Sequence, residues 1–275
     1  MCYICIKLSE KGHLTHKRLQ SQLNYLSVNQ IDNMLVLLKK EFSNFFASPM
    51  GYIVIGVFLV ITGLFLWIFP GMYNILDSGY ASMGGLFELA PWLYLFLVPA
   101  VTMRLFAEEK RTGTIELLLT RPITRLNIVM SKYLAGVLLV LFSLIPTLIY
   151  FLSVYLLGDP IGVMDVGGTW GSYIGLFFLA AIYVAIGVFA SSLTDNQIIA
   201  FILSAVLCAF IYCGFDLVAS MVLSGKTATL ISSIGINSHY ESMSRGVIDS
   251  RDVIYYLVVI SIFLFFTKEV LEKKK

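Results

Sequence analysis

Charge is what this chain has least of: 13% of its 275 residues are Asp, Glu, Lys or Arg, against 58% hydrophobic residues, with a mean hydropathy of +0.86. That composition lies outside the range of soluble globular domains and points to a membrane protein. A formal net charge of +2, with the basic residues in separate loops, excludes a nucleic-acid-binding role. Only four cysteines occur: Cys2 and Cys5 precede any apolar segment, and Cys208 and Cys213 fall inside one, so neither pair suggests a metal or redox site.

Catalytic signatures are also missing. A phosphate-binding loop needs Gly-x4-Gly-Lys-Ser/Thr so that backbone amides can cradle the phosphates. The nearest string, Gly225-Lys226-Thr227, has Ser220 where the first Gly should be. His239-Tyr240-Glu241 is not followed by the second His of a zinc protease. Ser172 lacks the first Gly of a nucleophile elbow because Trp170 stands there. Asp216 is a single acid in its segment, whereas an intramembrane aspartyl site needs two. The chain is therefore not expected to be an enzyme, and no metal or cofactor is expected on it.

What is abundant is long apolar runs. A membrane-crossing helix needs about 20 mostly apolar residues, and candidates fall at about 52–69, 89–106, 133–157, 173–193, 198–222 and 253–267. Aromatic residues such as Tyr52, Trp67, Trp92, Tyr133 and Trp170 mark their ends, as at membrane interfaces. Pro91, Pro99 and Pro146 lie within spans, where a neighbour must satisfy the freed carbonyl. The expectation is an all-α integral membrane fold with one domain over 34–275. Residues 1–33 have no apolar core long enough for a secretory signal. They read as an extension upstream of a start at Met34 or as a disordered tail.

Basic residues set the orientation. Arg104, Lys110, Arg111, Arg121, Arg125 and Lys132 fill the link between the second and third spans, and Lys268, Lys273, Lys274 and Lys275 follow the sixth. Both regions are expected in the cytoplasm, with both termini. The loops at 70–88 and 158–172 hold Asp77, Glu88, Asp159 and Asp165 but no Lys or Arg, and are expected outside. The loop at 224–252 carries Lys226, Arg245 and Arg251, nearly balanced by Glu241, Asp249 and Asp252.

Three further features stand out. Residues 34–48 place Leu35, Leu38, Phe42, Phe45 and Phe46 at helical spacing opposite Lys39, Lys40, Ser43 and Asn44, as an interface helix would. Gly167, Gly171 and Gly175 recur every fourth residue, a spacing that lets helices approach closely, either within the chain or at a dimer contact.

The third is "EEKRTGTIELLLTRP", residues 108–122. Glu108, Glu109, Lys110 and Arg111 are too costly to bury in lipid. Gly113 permits a turn, Thr114 is an expected N-cap, and Glu116 suits a helix N-terminus. Ile115, Leu118 and Leu119 share one face, and Arg121 with Pro122 ends the helix. About two turns of helix are unstable alone, so the apolar face needs cover. Either it packs on the chain's own interface helix, or it enters a groove on a cytoplasmic partner with the Glu108–Arg111 charges as the rim.

At these residues the sequence resembles the ABC-2 type permeases. "FAEEKRTGTIELLLTRPITRLNIVMSKYLAG" looks like the segment between their second and third spans, and "ASSLTDNQIIAF" like the link between the fourth and fifth. "INSHYESMSRGVIDSRDVIYY" is similar to the gliding-motility-associated permease of that family.

The resemblance implies half of a type V ABC exporter in a bacterial inner membrane, six spans per half, paired with a second half that is a copy or a relative. Thr114–Thr120 would be the coupling helix docking into a separate ATPase pair, which binds the ATP and Mg. Thr194, Asp195, Asn196 and Gln197, within 192–197, would form a smaller cytoplasmic contact, and 224–252 would contain short re-entrant segments. An ion-coupled transporter or a non-transporting scaffold are the alternatives. Against the ion-coupled reading, the spans carry almost no charge at mid-depth and no inverted repeat is evident.

Overall fold

A computed structural model describes residues 33–120, 123–222, 225–246 and 249–273, except for the Leu119 side chain. Most of the expected N-terminal extension, together with Arg121 and Pro122, lies outside these residues. Among the described residues there is no strand. The helices are α1 (33–47), α2 (Pro49–Trp67), α3 (Ile75–Ser78), α4 (Gly84–Thr102), α5 (Arg104–Arg111), α6 (Thr114–Leu119), α7 (Arg125–Leu144), α8 (Leu148–Leu157), α9 (Val166–Leu193), α10 (Gln197–Ala209), α11 (Phe215–Met221), α12 (Gly225–Ser232), α13 (Ile236–Ser244) and α14 (Ser250–Lys273). A 3₁₀ turn joins α7 to α8 at Pro146, and a π-helical turn, Phe210–Gly214, joins α10 to α11. Six helices or helix pairs among the described residues are long and apolar enough to cross a membrane: α2, α4–α5, α7–α8, α9, α10–α11 and α14.

The α9 helix is the axis of the bundle. Of its most apolar window 78% is buried, against 22% for α14 and 28% for α2, so the outer helices present their large side chains to lipid while α9 is enclosed. Close packing on α9 is possible because its interior positions are small. A Cβ at Gly171 would sit 2.9 Å from the Gly246 Cα and 3.0 Å from the Met243 carbonyl oxygen, and one at Gly175 would sit 3.0 Å from the Met243 Cβ. The glycine series therefore packs within the chain at Gly171 and Gly175, against α13. Gly167 would meet only the side chain of Asp165, which caps the same helix.

Two proline breaks are compensated locally. Pro91 cannot donate to the carbonyl of Phe87, and the Tyr240 hydroxyl from α13 donates to that oxygen at 2.7 Å. Burial raises the Tyr240 phenol well above its ordinary range, so it stays a donor. Pro49, at the first turn of α2, frees the Phe45 carbonyl, which accepts from the Ser48 hydroxyl at 3.4 Å. The α1 helix buries Leu37, Glu41 and Phe45, spaced every fourth residue, against the bundle. Leu35, expected on that apolar face, is exposed instead, because the buried line runs one position further round the helix. Phe42 and Phe46 pack on Phe142 of α7 at ring distances of 5.5 and 5.9 Å.

Candidate functional site

The segment between the second and third spans forms a bracket at one end of the bundle. After a break at Met103, α5 continues from α4 with Leu105, Phe106 and Ala107 buried. Its first amides lack intrahelical partners, and those of Phe106 and Ala107 donate to the Ser191 hydroxyl of α9, both at 3.0 Å. That hydroxyl in turn donates to the Met103 carbonyl at 2.9 Å. Lys110 donates from its ammonium to the Ser192 carbonyl at the end of α9. The bracket is thereby fastened to the bundle's central helix.

A buried ion cluster fastens it a second time. The Lys132 ammonium of α7, fully buried, lies 2.9 Å from Glu109 Oε1 on α5 and 3.1 Å from Glu41 Oε1 on α1. It also donates to the Leu105 carbonyl at 2.6 Å and stands over the Phe106 ring, 5.1 Å from its centroid. All three of its hydrogens have an oxygen to reach, and each oxygen comes from a residue outside α7. Above the cluster opens a cleft of about 730 Å³ between α1 and the bracket, lined by Lys40, Glu41, Arg104, Glu108, Glu109 and Leu118 among others. Glu109 Oε2 and Arg104 Nε, both buried, have no hydrogen-bond partner among the described residues.

Gly113 ends the bracket's first arm with φ +73°, a left-handed conformation that glycine adopts without strain. It is Gly113, not Thr114, that occupies the N-cap position of α6. Thr114 is the first helical residue, and its hydroxyl pairs with Thr112 at 3.0 Å. On α6 Leu118 is buried at 8% exposure and Ile115 is half-buried against the core. Glu116 is exposed, and Leu117, which the periodicity argument passed over, is 70% exposed. The apolar face formed by Ile115 and Leu118 is thus turned onto the chain itself, with Leu118 lining the same cleft as Leu37 and Phe45 of α1. Leu119 lies on α6, while its side chain and Arg121 fall outside what the structure describes.

The expected charged rim also divides. Glu108 and Arg111 are exposed, but Glu109 and Lys110 point inward to Lys132 and Ser192, because they stand four residues after the buried Leu105 and Phe106 and share their face. At the same end, 194–197 forms a tight cap on α10. Asn196 Oδ1 accepts from the Ile198 amide at 2.9 Å, and Thr194 Oγ1 accepts from the Asn196 amide at 3.1 Å. Asp195 is exposed and Gln197 begins the helix.

Glu41 and the burial of Lys132 escaped the sequence reading, although a lysine four residues after Ile128 in an apolar helix is itself a signal that an acid must approach. Among the described residues no group of three or more His, Cys, Asp or Glu could hold a metal ion.

Five apolar membrane-length segments packed around a sixth, α9, with an amphipathic lead-in helix and a braced polar bracket at one end, define a multi-pass helical membrane protein. The ABC-2 family transporter protein family matches residues 35–270, and the chain belongs to that family. Its members are the membrane-spanning components of ABC transporters, generally not catalytic themselves, and work in general with an ABC ATPase. Comparison with curated proteins gives no match.

Proposed function

We propose that this chain is the permease subunit of an ABC exporter in a bacterial inner membrane, with both termini in the cytoplasm, and that it serves a gliding-motility-associated system. ATP and Mg bind a separate ATPase pair, and a second permease half, a copy or a relative, completes the membrane pathway. The observation that carries this reading is the exposed Leu117 on α6, an apolar side chain in a polar bracket that is fixed to the bundle on two sides. An exposed apolar residue on a short helix calls for cover by a partner. Its attachments to α9 and α7 let a push on α6 reach the spans as one body.

The docking face is then Leu117 and Glu116 with the exposed Glu108, Arg111, Gly113 and Thr114. Ile115 and Leu118 hold the helix to its own chain, and Glu109 and Lys110 hold the bracket. Thr194–Gln197 adds a smaller contact at the same end. The buried charges of the cluster lie at this end of the spans rather than at mid-depth, which favours coupling to a partner over an ion pathway.

The test is co-purification with the cognate ATPase. Leu117→Ser with Glu116→Lys should reduce ATPase capture and stimulation about tenfold or more, as loss of a central apolar contact does, without changing the melting temperature of the permease. Unchanged capture would remove α6 as the docking element.

A further inference from the structure

The end of the bundle opposite the bracket holds a second polar constellation. On α13 the His239 ring is stacked on Tyr255 of α14, with centroids 4.0 Å apart and planes at 23°. Its Nδ1 lies 2.7 Å from Asp252 Oδ1, and its Nε2 lies 3.0 Å from the Ser233 carbonyl at the end of α12. A neutral imidazole has one donor and one acceptor nitrogen. Here both nitrogens face oxygens that carry no hydrogen when Asp252 is ionised, so a neutral ring would leave one lone pair against another.

The contact closes only when the His–Asp pair holds one more proton. That proton lies between Nδ1 and Oδ1, on the imidazole or on the carboxyl. Asp252 is 6% exposed in the first turn of α14, and its Oδ2 has no partner among the described residues.

We infer that His239 and Asp252 form a proton-binding site that latches α13 to α14 when occupied and releases it when the proton leaves. The titratable and charged groups on the surrounding elements are few. The α14 helix brings Asp252, Tyr255, Tyr256 and the exposed Arg251, and Asp249 just before it accepts from the Arg251 amide at 3.0 Å. The α13 helix itself carries Tyr240, Glu241 and, just beyond it, Arg245, the last two 3.9 Å apart and exposed. Asp216 of α11 accepts from Asn237 at 3.0 Å. The α12 helix presents the Ser233 carbonyl to the ring, and Lys226 stands at its far end.

The opposite face of α13 gives the latch its reach. Tyr240 and Glu241 line a cleft of about 570 Å³ together with Glu88, Trp92 and Tyr212. Holding or freeing α13 therefore sets one wall of that cleft. Because the docked pair binds a proton that the separated pair gives up, docking is complete at acid pH and weakens as pH rises.

This inference is independent of the ATPase reading, and its test needs only the full-length protein in nanodiscs. Hydrogen exchange of residues 233–246 is followed at about pH 5.5 and about pH 8, either side of the range in which histidines change charge, with rates corrected by an unstructured reference peptide. Protection should be about tenfold greater at the acid pH, the scale of one charge-assisted hydrogen bond. In Asp252→Asn the amide donates to Nδ1 without titrating, so protection should persist at both pH values. In His239→Gln it should be low at both. Equal wild-type protection at the two pH values, or a wild-type response retained in Asp252→Asn, would overturn the latch.

Discussion

Lys132 has three ammonium hydrogens, and Glu41, Glu109 and the Leu105 carbonyl receive them in a site closed to solvent. Removing one member of such a group costs more than the group is worth, because the others keep their charge without a counterion. Lys132→Met should therefore destabilise the protein by about 3–5 kcal/mol, measured by denaturant unfolding in micelles. Adding Glu41→Gln and Glu109→Gln should return much of that loss. If the single variant is as stable as the wild type, the three groups are not an ionic unit.

The sequence placed Lys132 at the entrance of the third span and counted it with the cytoplasmic charges. Its partner Glu41 lies 91 positions away, and a pairing over that separation leaves no trace in local periodicity. The need for a partner was legible and its identity was not.

At the scale of elements, periodicity put Ile115 and Leu118 on one face of α6 but did not give the direction of that face. Ile115 and Leu118 do share a face, and that face is turned onto the chain's own core, Leu118 across a cleft from α1. A helical pattern states which side chains travel together. What they meet depends on α1, whose buried line Leu37, Glu41, Phe45 includes a charge that a purely apolar criterion skips. The two leucines of α6 consequently separate two functions. Leu118→Ala should cost about 2–5 kcal/mol of stability, as buried leucine truncations do. Leu117→Ala should leave unfolding unchanged and weaken only partner capture. Equal effects on both measurements would mean that α6 is not divided in this way.

For the whole molecule, length and hydropathy were enough to locate six crossings, because a membrane tolerates few alternatives to a long apolar helix. The additions are the helix ends. The α7 helix starts at Arg125 and α14 runs to Lys273, since polar turns beyond the apolar core remain helical and no hydropathy criterion includes them. The paired ends of the bundle make orientation testable. Single cysteines at Thr114 and Asp195 in a variant without the native cysteines should react with an impermeant maleimide only after the cytoplasmic face is opened, whereas cysteines at Tyr80 and Ile161 should react in intact cells. The reverse pattern would invert the proposed orientation.

The π-helical turn at Phe210–Gly214 bears on how this chain can change its length. Such a turn accommodates one residue more than an α-helix over the same rise, so the fifth span carries a spare position. Deleting one residue there should leave a continuous helix that still crosses the membrane. Because the wider turn has already absorbed the extra residue, the helices on either side should keep their directions and Asp216 should still face Asn237. The shortened protein should insert with normal yield and keep the protection of α13 in hydrogen exchange, whereas deleting a residue from the regular α10 helix, where each residue turns the helix by about 100°, should abolish that protection. In this span, then, the bulge is the one place where the chain can lose a residue without turning one end of the bundle against the other.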